Sequence, residues 1–398
     1  MKMHSHAIDL YAANTNREMR ISFNEMLAPG RQRRLQGRVM LVPDIDLTKF
    51  KTRAVIDWLD IRFKASRKTQ AKWVLQAVDN VIGRRCYTQP LDGKAGHEFR
   101  LRFQEPDIAV VQKAIDAIRA DWGIDGEVEA HEMEVSVDFT PVVPDDAQRM
   151  LLVGVLTRHF LPGRDIISSK KDWPRFTWGE GDTCTGGMFL KIKNRPERLS
   201  LLFTDHDRKP FSDATIYFGA RDAASSWRVM DKVIDRQNKS KRSWINLPPD
   251  RRRVRIEVTL KASELRKRDI VTFEDLKRFK FTTLQKSCFR FMLPTFADTS
   301  TMDAGRRKVV KDTREAERRK RFLAAGVVGL KAMDDAWAAN RAVQRKDMRA
   351  VFRRNEKTLK TERVADGPMQ TLVAYEKLND RVAMALGKLT ERVKKQCV

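Results

Sequence analysis

The chain is poor in the features that several large protein classes depend on. No run of about eighteen apolar residues occurs, which leaves no candidate for a bilayer-spanning helix. The N-terminus shows no charged, apolar and small-residue leader, so a cytoplasmic protein without a membrane partner is expected. Only four cysteines are present, Cys86, Cys184, Cys288 and Cys397, and no two form a C-x-x-C pair. A structural zinc site or a disulfide framework is therefore not expected. No G-x-x-x-x-G-K-[ST] loop exists to cradle the phosphates of ATP, which argues against an ATP-driven helicase. Of six histidines, His4 and His6 are two apart in a polar segment, while His97, His131, His159 and His206 are scattered. They make a poor metal set.

Acidic residues are also in deficit. Against 79 Lys+Arg there are 53 Asp+Glu, a formal net charge of +26 over 398 residues. Such a field calls for a polyanionic partner, and each phosphate neutralised by Lys or Arg releases counterions. Salt-sensitive, largely sequence-independent affinity for nucleic acid follows, most naturally for DNA. The competing reading is that the charge serves solubility alone. Hydrophobic residues make up 41% of the chain, with eight Trp and twenty Phe, enough for one large or two medium cores.

Three regions are expected. Residues 1–50 are polar, with Arg31, Arg33, Arg34 and Arg38 clustered after Pro29-Gly30, and read as a basic flexible arm. Residues 51–297 mix both periodicities. Residues 54–63 alternate, with Val55, Leu59, Ile61 and Phe63 on one face and Asp57 among them. Helical spacing follows over 69–82, alternation over 99–103, and helical spacing again over 108–122 and 147–159. Strands are expected at 133–139, 188–194, 199–205, 214–220, 226–232 and 254–260, with 221–225 short enough for a hairpin. The fold class is α+β, a mainly antiparallel sheet with packed helices. Residues 298–398 contain one proline, Pro368, and about twice as many basic as acidic residues at helical spacing. They read as a basic all-α tail, either a solvated hairpin packed on the sheet or a DNA-gripping arm.

Paired acids on strands are the most informative constellation. In residues 133–139, Glu134, Ser136 and Asp138 share one face and Val135, Val137 and Phe139 the other. In residues 254–260, Arg255, Glu257 and Thr259 project opposite to Val254, Ile256 and Val258. Were the two strands neighbours, Glu134, Asp138 and Glu257 would form an oxygen-rich cage suited to Mg²⁺ or Mn²⁺. Acids also commonly decorate the wet face of an antiparallel sheet.

Five segments carry a resemblance by their order: Asp57-Trp58-Leu59, Glu134 to Asp138, Thr215 to Arg221, Trp227 to Lys232, and Arg255-Ile256-Glu257. With Phe289-Arg290-Phe291 near the end, residues 54–297 resemble the replication initiation factor family. That family comprises the rolling-circle initiators of small plasmids and filamentous phages and related relaxases. The resemblance implies a DNA nicking-closing endonuclease in which a tyrosine attacks a phosphodiester at the replication origin, leaving a 5′-phosphotyrosyl link and a 3′-OH primer. It implies Mg²⁺ or Mn²⁺ at Glu134, Asp138, Asp231 and Glu257, and DNA contacts from Arg221, Arg228, Lys232 and Arg255. Implied partners are origin DNA and a host helicase or polymerase, with a homodimer left open.

One departure stands out: the family's nucleophile position is Met230 here, and a thioether has no proton to lose. The tyrosines are Tyr11, Tyr87, Tyr217 and Tyr375, and only Tyr217 belongs to the expected hairpin. With Thr215 facing Met230, Tyr217 lies diagonal to Met230 on the same face and is the candidate nucleophile. The alternative is a non-catalytic DNA-binding initiator on the same fold. A third reading, an RNA-binding sheet platform, requires exposed aromatics, for which Trp227 and Phe218 are the candidates.

Overall fold

A computed structural model describes residues 6–83, 86–179, 182–204, 207–238, 243–300, 302, 304–355 and 371–396. His4, His206, Pro368 and Cys397 lie outside the described residues. The fold is α+β, as the two periodicities require.

In chain order the strands are β1 His6–Ala12, β2 Arg17–Leu27, β3 Arg38–Pro43, β4 Phe50–Gln70, β5 Tyr87–Pro90, β6 Ala95–Gln104, β7 Asp125–Pro141, β8 Arg175–Trp178 and β9 Cys184–Gly187. Next come β10 Thr215–Phe218, β11 Ser225–Lys232, β12 Ile234–Asn238, β13 Ser243–Asn246, β14 Arg253–Lys261, β15 Met292–Ala297 and β16 Leu372–Ala374. The helices are α1 Ala71–Ile82, α2 Ile108–Trp122, α3 Asp146–His159, α4 Glu197–Ser200, α5 Ala262–Arg266, α6 Phe273–Arg278, α7 Leu284–Cys288, α8 Arg306–Arg354 and α9 Glu376–Gln396.

Nine strands form the main sheet in the order β5-β6-β4-β7-β14-β11-β10-β8-β9, every neighbouring pair antiparallel. A second antiparallel sheet has the order β1-β2-β3-β15-β16, and β12 pairs with β13 alone. Alternation makes the main sheet two-faced. Met133, Val135, Val137 and Phe139 of β7 and Val254, Ile256, Val258 and Leu260 of β14 are buried in the core with helix residues such as Val111, Ile115, Leu156 and Leu386. The other face carries the polar partners of that alternation. Helix α2 begins where the Asp107 carboxylate accepts from the backbone N–H of Ala109 and Val110, and it buries Ile108, Val111, Ala114, Ile115 and Ile118.

The outer regions differ from expectation. Residues 1–50 are not a loose arm, because β1, β2 and β3 bury Ile8, Leu10, Ile21, Phe23, Val39 and Leu41 in the same continuous core. Residues 298–398 do supply helices, yet they are not a separate tail. Strand β16 completes the second sheet, and α9 buries Leu378, Val382, Leu386 and Leu389. Phe322 of α8 packs edge-on against Phe23 of β2 and His159 of α3, and His159 in turn against Tyr375. Aromatic packing thus ties all three expected regions into one core.

Two expected strands are absent. Residues 188–194 hold no strand, since Asn194 takes a positive φ of 62° and Pro196 cannot donate to a ladder. Within 199–205, Leu199 and Ser200 belong to α4. Helix α8 is two helices end to end, broken at Gly326 (φ 65°, ψ −164°). A Cβ there would stand 2.6 Å from the Arg158 backbone, so only glycine fits both the dihedral and the space.

A candidate metal and phosphate site on the polar sheet face

Six neighbouring strands, in the order β4-β7-β14-β11-β10-β8, build the site. Antiparallel pairing of β7 with β14 sets Thr259 opposite Glu134, Glu257 opposite Ser136 and Arg255 opposite Asp138. On the far side of β14, β11 brings Arg228 opposite Glu257 and Met230 opposite Arg255. Strand β10 then sets Tyr217 opposite Arg228, the register in which Thr215 faces Met230, and β8 sets Arg175 opposite Tyr217.

The contribution of β4 comes from an irregularity. On β4, Ile56 pairs with Val135 and Trp58 with Glu134, so Asp57 is the extra residue of a β-bulge. Ala54 and Ile56 face the core before the bulge; Leu59, Ile61 and Phe63 face it after. The expected single face holding Val55, Asp57 and Leu59 is therefore split. The bulge turns Asp57 onto the acidic face, where Asp57, Glu134 and Glu257 each offer an oxygen within 4.8 Å of the others.

Electrostatics mark this triad. Glu257 is 1% exposed, and burial, then the neighbouring Glu134 carboxylate, pushes its pKa up to about 8. Burial raises that of Glu134 as well. Burial acts the same way on Asp57, but the Arg255 guanidinium, Glu134 and Lys232 together outweigh it and the net shift is downward. Glu134 accepts from the Thr259 hydroxyl at 2.6 Å and from Arg228 at 3.1 Å. Arg228 also contacts Glu257, though without the alignment of a hydrogen bond, so Glu257 Oε1 has no aligned donor. Burial alone would lower the Arg228 pKa; the Glu257 and Glu134 carboxylates push it up instead.

The other expected site residues divide. Asp138 lies on the same face but is gripped by Arg255 at 2.6 and 2.9 Å, with Arg253 Nε 3.0 Å away. Its oxygens are committed to arginines rather than open to a cation. Asp231 is not part of the acidic set. In β11 it shares the core side with Trp227 and Val229 and forms a buried two-point ion pair with Arg149 of α3. Arg255 is 2% exposed and held by Asp138 and Asp57, which removes it as a phosphate contact. Lys232 remains on the polar face, its pKa lowered by burial and then by Arg255. It lines a cleft of about 1090 Å³ with Asp57, Asp235, Arg253 and Arg255. Arg221 is exposed in the β10–β11 turn, where its carbonyl accepts from Lys261.

Tyr217 stands between two arginines. The Arg175 guanidinium lies 5.0 Å from its ring centroid, and Arg228 is its partner on β11. Burial, then the charge of Arg221, lowers the Arg175 pKa. Sequence reasoning missed Arg175, although the alternation of Arg175-Phe176-Thr177-Trp178 was a signal for it. Trp227 and Phe218 are 2% and 0% exposed, which removes the aromatics that the RNA platform needs. His159 is buried with Nδ1 2.8 Å from the Met292 carbonyl, and burial brings its pKa down to about 4.

The donor chemistry suits a hard divalent cation. Three carboxylates converge from adjacent strands, two of them are kept from easy ionisation chiefly by burial, and one oxygen lacks an aligned donor. No family model matches the chain, and no curated protein matches it. Among the described residues, no helix is long and apolar enough to cross a membrane.

Proposed function

We propose that the chain is a cytoplasmic replication initiator of a plasmid or phage that binds origin DNA and cuts one strand from Tyr217, with Mg²⁺ or Mn²⁺ at Asp57, Glu134 and Glu257. The observation that carries this reading is the convergence of three carboxylates on one sheet face, one strand from the arginine that flanks a tyrosine. The ordered motifs that resemble the replication initiation factor family agree with it.

A bound divalent cation would supply charge stabilisation at the non-bridging phosphate oxygens. The chain's own residues do the rest. Arg175 and Arg228, on the strands either side of Tyr217, hold the scissile phosphate against the phenol. The Tyr217 oxygen bonds to phosphorus as the bond to the 3′-oxygen breaks, and the phenolic proton ends on that 3′-oxygen. One phosphodiester is exchanged for another, so neither ATP nor a redox partner is required. The free 3′-OH then primes synthesis by a recruited host polymerase.

A second reading has its own support. Met230 occupies the position where the resembled family has its nucleophile. Moreover, Asp57, Glu134, Asp138 and Glu257 are matched one for one by Arg228, Lys232, Arg253 and Arg255 on the same face. A set balanced in this way fits a non-catalytic DNA-binding initiator that recruits host replication proteins.

One assay separates the two. The purified protein is incubated with Mn²⁺ and supercoiled DNA carrying the sequences that flank its coding region. Denaturing electrophoresis should reveal a covalent protein–DNA adduct that disappears in Tyr217→Phe. Adducts that persist in the variant assign another nucleophile; their absence from the native protein leaves the binding-only initiator.

A further inference from the structure

A second basic feature lies apart from the acidic site. A pocket of about 600 Å³ opens between the start of α8 and the second sheet, lined by Arg34, Arg38, Arg306, Arg307, Lys311 and Arg314. A seventh cation, Arg318, also lines it, but Arg318 is buried against Glu315 and Asp334. Glu315 is the one carboxylate in the lining. The pocket shares no residue with Asp57, Glu134, Glu257 or Tyr217.

Three observations indicate that this pocket is set up for an anion. First, α8 starts against its own dipole: Arg306, Arg307 and Lys308 crowd its positive end, with no acid in the first turn and no side-chain cap at Gly305. Second, Arg306, Arg307 and Lys311 are exposed and have no ion-pair partner among the described residues. Third, the buried Nε–H of Arg314 finds no acceptor while its guanidinium sits 5.1 Å from the Trp337 ring centroid. A buried donor left unmet beside clustered like charges is unfavourable unless a ligand supplies acceptors.

We propose that this pocket grips the phosphodiester backbone of duplex DNA. Extended negative charge matches a lining that brings together two segments far apart in sequence, Arg34 just before β3 with Arg38 at its start, and the first turns of α8. Single-strand chemistry at the sheet and duplex anchoring at α8 would then be separate tasks on one chain.

The test uses the full-length protein and a short blunt duplex of arbitrary sequence, with affinity followed by fluorescence anisotropy over a salt series. The comparison is with the triple variant Arg306→Gln, Arg307→Gln, Lys311→Gln, whose sites are exposed and carry no packing. The magnitude of the slope of log K against log [salt] should fall by about 2 to 3, at about 0.9 per phosphate lost, with at least about a 10-fold loss of affinity at low salt. Lys113→Gln, Lys286→Gln, Lys388→Gln removes the same charge from exposed positions elsewhere and should leave the slope nearly unchanged. Equal losses in both triples would mean a diffuse field rather than a site and would overturn the proposal. So would a first triple that loses affinity for inorganic pyrophosphate yet keeps its duplex slope. The assay needs neither nicking nor a divalent cation, so failure here and failure of the nicking reading are told apart.

Discussion

Replacing Glu257 by glutamine tests the electrostatics of the acidic face directly. In the fold its carboxyl ionises near 8, against an ordinary value of 4.5. Between those two values the unfolded chain has released the proton and the folded chain has not. Stability therefore falls as pH rises through that window, and is undiminished below it. At about 1.4 kcal/mol per pH unit, the interval from 4.5 to about 8 corresponds to a loss on the order of 5 kcal/mol. Glu257→Gln keeps the shape and cannot ionise. Urea unfolding at pH 5 should then give native and variant stabilities within about 1 kcal/mol of each other, while at pH 9 the variant should be the more stable by a few kcal/mol. Mn²⁺ should narrow that gap at pH 9. A cation that needs the ionised carboxylate stabilises the native protein by about 2.7 kcal/mol at one hundred times its Kd, releases a proton on binding, and does little for the variant. Parallel stability curves from pH 5 to 9, indifferent to Mn²⁺, would refute both the buried charge cluster and its role as a cation site.

Two further outcomes are expected. Gly326→Ala should cost roughly 3 kcal/mol or more in thermal or urea unfolding, because a methyl group meets the Arg158 backbone at a positive φ; a loss under about 1 kcal/mol would mean that α8 runs on without its break. Met230→Tyr puts a phenol on the polar face opposite Arg255 and should raise the yield of protein–DNA adduct in Mn²⁺, even in a Tyr217→Phe background; no gain would count against Met230 as the lost nucleophile position.

Much of this architecture was legible in the sequence where one strand or helix suffices to determine it. Helix α2 spans the residues its period marked, and the alternation of Glu134, Ser136 and Asp138 against Val135 and Val137 holds in β7. Features that depend on two strands at once were not legible. A bulge is a property of a pair, and the role of Asp57 followed only from the register of β4 against β7. Asp231 is a different case. The run Trp227, Val229, Asp231 already put it on the apolar side of β11, and the motif resemblance overrode a period that was correct. In the first fifty residues, Ile8, Leu10 and Ala12 alternate, as do Val39 and Leu41, but arginines elsewhere in the segment, such as Arg17, Arg20, Arg31, Arg33, Arg34 and Arg38, gave it a polar average that hid the strands. Their burial depends on α3 and α8, which lie far away in the chain.

The bulge also explains why the acidic triad exists at all. Strand β4 has 21 residues, long enough that both halves must bury apolar side chains in one core. Its buried positions are 54 and 56 on one side of Asp57, but 59, 61 and 63 on the other. An uninterrupted strand would have driven one of these halves into water. The inserted residue resolves that conflict, and the position it frees could carry any side chain that faces solvent. The chain places a carboxylate there, beside Glu134 and Glu257, where burial first and the Glu134 charge second hold Glu257 near 8 and Asp57 adds a smaller push the same way. A neutral residue would have met the packing requirement without adding a third acid to the cluster. An acid at this irregular point of the central strand, completing a triad whose buried Glu134 and Glu257 are met by Arg228, is what distinguishes this face from an ordinary wet side of an antiparallel sheet.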